Sequence, residues 1–305
     1  MTAASQAPRL TSQLVNGLLA IKPLANFAKS QARQMMIQRA ESIGVPWTQT
    51  ATALMSRGLE VWEAERQELE NHGLKYPDYY LTSFHAYEAG NLSWEAATEV
   101  AVASYAAHAR IWPEAGAQGD ARLRQSYHQL LQAQLPNPPQ DILDMGCSVG
   151  LSTFAMQDTF PQARLTGLDL SPYFLAIADH NSPQSPIQWL HRAAEETQLP
   201  DHSFDLVSLC LVCHELPRTA TQQIFAEARR LLRPQGHLAV MDMNPESEVH
   251  RKLPAYVLTL LKSTEPYLDD YFSFDIQQAF LEAGFQQPSL SCNSPRHRTL
   301  IAQRA

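Results

Sequence analysis

The sequence predicts an α/β protein built on a doubly wound sheet with a helical segment ahead of it. Three observations carry this. From residue 141 to the C-terminus, short apolar runs alternate with helical patterns. The first run, Asp141 to Met145, passes into a turn with glycines four residues apart, Gly146 and Gly150, and then into the small hydroxylated residues Ser152 and Thr153 that open a helix. The second run, Leu165 to Leu170, ends on a carboxylate, Asp169.

Taken in order, the chain begins with a charge asymmetry. Its 305 residues carry a net charge of −8, yet the first 40 hold five basic side chains (Arg9, Lys22, Lys29, Arg33, Arg39) and no acid, leaving −13 on the other 265. Between Leu24 and Met36, apolar residues repeat at helical spacing, with Lys29 and Arg33 one turn apart on another face. A helix docked on the rest of the protein is the first expectation. Peripheral membrane contact through residues 10–40 and a targeting segment are the alternatives. There is no run of about 18 apolar residues to span a bilayer, and no secretory core with a cleavage site. The expected location is cytoplasmic, with membrane association as the variant. The acidic balance argues against nucleic acid as a partner.

Trp47 to Pro113 reads as helical. Eight aromatic residues fall between Tyr76 and Trp112, and four of the five tryptophans precede Pro113. Such a segment could cap a ligand and line an apolar pocket, or be the core of a helical subdomain. Tyr79, His85, Tyr87 and Trp94 are the candidate lining residues here. A boundary is placed near residue 118, giving an N-terminal helical cap over 1–118 and the sheet domain over 119–305.

A helix over 121–135 leads into the sheet. Strands are expected near 141–145, 165–169, 187–191, 205–211, 237–242, 286–292 and 298–303. Helices are expected near 151–159, 172–180, 218–232 and 273–284. The last two strands are joined only by the tight turn SPRH, so they should pair antiparallel. Asn244 to Ser273 is longer than an ordinary connection of about 2–6 residues; within it, Ala255 to Lys262 should be helical, and Tyr267 is a further pocket candidate.

The stretch DILDMGCSVGLST (141–153) suggests its ligand. Gly146 and Gly150 permit positive φ or close backbone approach, and the helix N-terminus behind them favours an anionic group. Yet Asp144 stands just before the turn, where it would repel a pyrophosphate and attract an ammonium. A carboxylate at the end of the next strand, Asp169, suits the two hydroxyls of a ribose. The ligand these features describe is a nucleoside carrying an amino acid.

These residues resemble the class I S-adenosylmethionine (SAM) dependent methyltransferases, in the small-molecule group that includes the ubiquinone and menaquinone methyltransferases. The likeness runs in order from about Gln140 to Met243, through DMGCSVG, GLDLS, AAEETQLPDHSFDLV, LCLVCHELP and LLRPQGHLAVMD. It implies a doubly wound, seven-stranded methyltransferase (Rossmann-like) sheet with an antiparallel last strand. It also implies that Gly146, Cys147, Ser148 and Gly150 wrap the methionine part of S-adenosyl-L-methionine, with Asp144 near the amino group. Asp169, beside Leu170, would hold the ribose, Ala194 and Glu195 the adenine, and Leu211 the cofactor's near side. Two positions depart from the family pattern. Ser148 replaces the commonest middle glycine, and Ala193 removes a side-chain contact to adenine.

Transfer of a sulfonium methyl needs alignment and a dry site, and a neutral acceptor also needs a base. His214, followed by Glu215, is the best-placed candidate. Cys210 and Cys213 have C-x-x-C spacing but sit in an apolar strand with no second pair, so no metal site is expected. The expected activity is methylation, at oxygen, carbon or nitrogen, of a small apolar or amphipathic acceptor. A prenylquinone-like lipid at a membrane surface, a silent SAM-binding interaction protein and a nucleotide-dependent oxidoreductase are the competing readings.

Overall fold

The computed structural model describes residues 22–82, 87–182, 186–254, 257, 261–262 and 264–305. Its centre is a seven-stranded sheet ordered β3-β2-β1-β4-β5-β7-β6. The strands are β1 (Asp141–Met145), β2 (Arg164–Asp169), β3 (Gln188–His191), β4 (Phe204–Cys210), β5 (Leu232–Met243), β6 (Ser289–Ser291) and β7 (His297–Gln303). The first five are parallel. β7 lies antiparallel between β5 and β6, as the short SPRH turn requires.

The chain runs outward from β1 to β3 and then returns to place β4 against the other side of β1. Loops leaving β1 and β4 therefore diverge and open a crevice at the carboxyl ends of the strands, which is where doubly wound sheets bind ligands. Both faces are covered by helices, so the central strands are apolar almost throughout. Ile142, Leu143, Leu206, Val207, Leu238 and Val240 are all fully buried.

Helices α1 (Lys22–Ser42), α2 (Trp47–Met55), α3 (Leu59–Leu69) and α4 (Trp94–His108) precede the sheet, followed by α5 (Gly119–Gln134). The helix expected at the basic N-terminus docks on the protein over its second half. Arg33 bonds Glu99 of α4, while Ala40 is buried with Val45, Trp47, Val102 and Ala106, and Met36 and Ile37 pack beside them. Residues 10–21 of the membrane alternative lie outside the described residues. Among the described residues, no helix is long and apolar enough to cross a membrane.

Four more helices complete the sheet layers: α6 (Leu151–Thr159), α7 (Pro172–His180), α8 (Arg218–Leu231) and, late in the chain, α11 (Ile276–Glu282). α9 (Glu248–Arg251) and α10 (Leu268–Phe272) lie in the long connection after β5. The helix expected over Ala255–Lys262 falls mostly outside the described residues. The cap is tied to the sheet by polar contacts. His191 Nδ1 accepts from Asn71 N while its other nitrogen bonds the Leu170 carbonyl, and Ser171 Oγ donates to Asn91 O.

Trp189 of β3 sets a constraint on β2. A Cβ on Gly167 would lie 2.4 Å from the Trp189 ring and 3.0 Å from Cys147 Sγ. Gly167→Ala is therefore expected to destabilise the protein by about 1–3 kcal/mol through overpacking. Urea unfolding followed by tryptophan fluorescence checks this; an unchanged midpoint would show that the ring moves freely.

Candidate functional site

The carboxyl ends of β1, β2 and β4 open into a cavity of about 780 Å³ shared by sheet and cap. Its floor is the turn after β1. Gly146 (φ 73°), Ser148 (φ 51°) and Gly150 (φ 86°) all take left-handed backbone conformations. The turn is fixed by its own backbone: Gly146 N and Cys147 N donate to Leu168 O, and Gly150 N to Cys147 O. A Cβ on Gly146 would lie 2.8 Å from Val212, so glycine is demanded there by space as well as by φ. At Ser148 the unfavourable φ is held by a specific bond, Ser148 N to Asp169 Oδ2 at 2.8 Å.

Asp169 is the hinge of this arrangement. Its second oxygen accepts from Ser171 N, also at 2.8 Å, and it lines the cavity. Ser171 in turn caps α7 by accepting from Phe174 N. Burial pushes the Asp169 carboxyl up to about 6, against the lowering effect of the two backbone N–H groups. Asp144 sits behind the turn, not on the cavity wall. It is buried, and Oδ2 accepts from Ser152 and Thr153 Oγ at 2.6 and 2.7 Å.

At the cavity's rim, Glu195 accepts a 2.6 Å hydrogen bond from Tyr79 of the cap, and the Tyr79 ring meets Tyr267 edge-on. Ala194, Leu170, Cys147 and Leu211 line the same space. Leu211 adopts φ 63° as the chain leaves β4. His214 follows in a short 3-10 turn. Its Nδ1 lies 2.7 Å from Asp242 Oδ1, and its backbone N donates to Asp242 Oδ2. Burial acts to lower the imidazole pKa, but Asp242, Glu215 and Glu265 outweigh it and hold His214 up at about 9. These carboxylates favour the imidazolium form of His214.

The structure thus brings Gly146, Cys147, Ser148, Asp169, Leu170, Ala194, Glu195, Leu211, His214, Glu215, Tyr79 and Tyr87 around one space. Trp94 is elsewhere. Its indole donates to Glu63 and its ring packs on Trp62 and Tyr173, so it joins cap to α7. Tyr267 meets the site through Tyr79, and Gly150 through the turn. Tyr87 spends its hydroxyl on Glu99. His85 lies outside the described residues.

Two groups escaped the sequence reading. Asp242, fully buried at the end of β5, occupies the same strand-end position that singled out Asp144 and Asp169, and that signal could have found it. Glu265 completes a set with His214 and Glu215 whose donor atoms lie within 4.8 Å of one another, close enough to share a metal ion. A metal there would compete with the proton that His214 holds.

The residues also fit the cofactor the sequence implies. Ser148 Oγ and Glu195 Oε2, both on the cavity wall, are buried without a hydrogen-bond partner among the described residues. Both belong to the segments expected to meet the amino acid and adenine ends of SAM.

Residues 143–240 match the family described as methyltransferase domain. The chain is 28% identical over 148 residues to a malonyl-[acyl-carrier protein] O-methyltransferase of Anoxybacillus flavithermus (48% of this chain, 56% of that one). It is 32% identical over 122 residues to an uncharacterised methyltransferase of Synechocystis (40% and 56%), and 27% identical over 149 residues to a demethylmenaquinone methyltransferase of Chlamydia pneumoniae (48% and 63%). The chain spans little more than half the length of these relatives. Among solved structures, a SAM dependent methyltransferase from Aquifex aeolicus superposes with a TM-score of 0.47 at 15% identity, covering 60% of this chain and 92% of that one. The match places a methyltransferase domain over residues 143–240.

The raised Asp169 pKa has a measurable consequence. A folded value above the ordinary carboxylate value near 4 means that the ionised form is disfavoured by folding, so this group's contribution to stability is lost as pH rises from about 4 to about 6. Hydroxyls donated by a ribose need that ionised form. S-adenosylhomocysteine (SAH) affinity should be flat above pH 7 and fall below about 6, by up to about tenfold per pH unit. Calorimetric titration between pH 5 and 8 measures it, and a flat profile would exclude Asp169 as the titrating acceptor.

Proposed function

We propose that this protein transfers the methyl group of SAM to a small amphipathic acceptor held between the sheet and the cap. The observation that carries the reading is the Asp169 carboxylate, clamped by Ser148 N and Ser171 N at the edge of the cavity that also holds His214. The turn from Gly146 to Gly150 cradles the methionine part. Asp169 accepts from the ribose, and Ala194 and Glu195 flank the adenine. Asp144 acts from behind the turn, holding Ser152 and Thr153 at the start of α6.

SAM supplies an electrophilic sulfonium methyl; the chain's residues align the acceptor and manage its proton. Asp242 holds His214 Nδ1, which fixes the tautomer and leaves Nε2 for the cavity. His214 takes the acceptor's proton at Nε2 in its neutral form, and Glu215, 4.0 Å from Nε2, stabilises the imidazolium that results. The Tyr79–Glu195 bond closes the cap over the site and helps exclude water. In this reading the described part of residues 1–118 is a cap that completes the acceptor chamber, and 119–305 are the transferase domain.

A prenylated quinone is the particular amphipathic acceptor the sequence suggests, and the resemblance to a demethylmenaquinone methyltransferase supports it. Assays with radiolabelled SAM against quinone and fatty-acid-like acceptors test the activity. With His214 held up at about 9, kcat should rise with pH towards about 9. His214→Gln should lower kcat by about 10²–10⁴ and remove that rise. An unchanged pH profile in the variant would assign the proton to another group.

A further inference from the structure

Away from the carboxylates of the cofactor side, the same cavity is lined by three arginines from distant parts of the chain: Arg39 of α1, Arg110 after α4 and Arg296 in the turn between β6 and β7. Of the other cavity arginines, Arg33 is paired with Glu95 and Glu99 and Arg124 with Asp120, while Arg192 donates to the Thr197 carbonyl. Asp120 is also bonded by His108, so it has no charge to spare. Arg39, Arg110 and Arg296 have no acidic partner among the described residues, and Arg39 Nε is buried with no hydrogen-bond partner there. The polar contact of Arg296 is to the Arg110 carbonyl at 3.4 Å. Burial lowers the pKa of Arg39, and the charges of Arg110 and Arg296 lower it further. Burial and Arg110 do the same to Arg296.

Arg39 and Arg296 are half-buried and Arg110 is exposed; holding such guanidinium groups together without a counter-charge is unfavourable. No fold needs it: an uncharged side chain would fill the space without repulsion. The planar fork of arginine matches a carboxylate or phosphate with two parallel hydrogen bonds. The neighbourhood connects to the reaction end, because Arg296, His250 and His214 line one cavity, with Val249 and Leu253 as apolar wall.

We infer that Arg39, Arg110 and Arg296 form an anion-binding subsite that holds the carboxylate or phosphate head group of an amphipathic acceptor whose apolar body lies along the cavity. That the ligand is the acceptor rests on the methyl-transfer reading, and it sets aside the prenylated quinone, which has no such head group; the anion site rests on neither.

The test uses the full chain and three eight-carbon probes, octanoate, octyl phosphate and uncharged octanamide, titrated with and without saturating SAH. Octanoate or octyl phosphate should bind at least about tenfold more tightly than octanamide, and whichever acid binds better identifies the head group. Arg39→Gln/Arg296→Gln should remove that preference, leave SAH affinity unchanged, and raise the melting temperature of the unliganded protein, since it relieves repulsion. A structural role for the arginines would instead lower it. Equal binding of all three probes to the wild type, or a preference that survives in the double variant, would overturn the proposal. Loss of SAH binding in the wild type with the acid preference intact would overturn the methyltransferase reading alone.

Discussion

The site depends on one carboxylate, Asp169, held between two backbone N–H groups. Ser148 N belongs to the turn after β1, and Ser171 N to the start of α7, so the carboxylate ties the β1 turn to the β2 exit. It also offsets the unfavourable φ of 51° at Ser148, which in isolation costs about 1–2 kcal/mol for a residue with a Cβ. Burial raises the pKa of this carboxylate, which has two backbone donors among the described residues. Further donors from a ribose would complete its shell. The clamp supports the fold, and under the proposed function it would also receive the ribose.

Charge is divided within the cavity. Asp169, Glu195 and Glu215 gather where a cationic sulfonium nucleoside would lie, and Asp242 stands behind His214. Unpaired arginines gather where the cap meets the β6–β7 turn. Because the overall charge is −8, the arginine group is a local exception built by convergence. A cationic cofactor and an anionic acceptor would each find its complement, with the apolar wall between them.

Much of the sheet was legible because local signals agreed. α6 and α7 have the bounds expected from their apolar patterns, helped at α7 by the Ser171 cap and Pro172. Where bounds differ, a particular residue explains it. β5 begins at Leu232, not 237, because LRPQG runs extended past the proline and Leu232 pairs with Phe204 across an irregular register. β6 shrinks to Ser289–Ser291 because Pro288 cannot donate to a ladder. α11 starts at Ile276, where Asp275 caps it by accepting from Gln278 N. In the site, the turn and Asp169 were readable from spacing. The roles of Tyr79, Asp242 and the arginines were not, since each depends on contacts between segments far apart in sequence. Aromatic character alone could not separate Tyr79, which faces the cavity, from Trp94, which packs against α7.

The most direct measurement is calorimetric titration of the folded protein with SAM and SAH, wild type against Asp169→Ala. The account predicts micromolar binding of both ligands to the wild type and a loss of about 10–100-fold in the variant, the cost of removing a charged acceptor of hydrogen bonds. Absence of binding to well-folded wild-type protein, or equal binding by the variant, would contradict it.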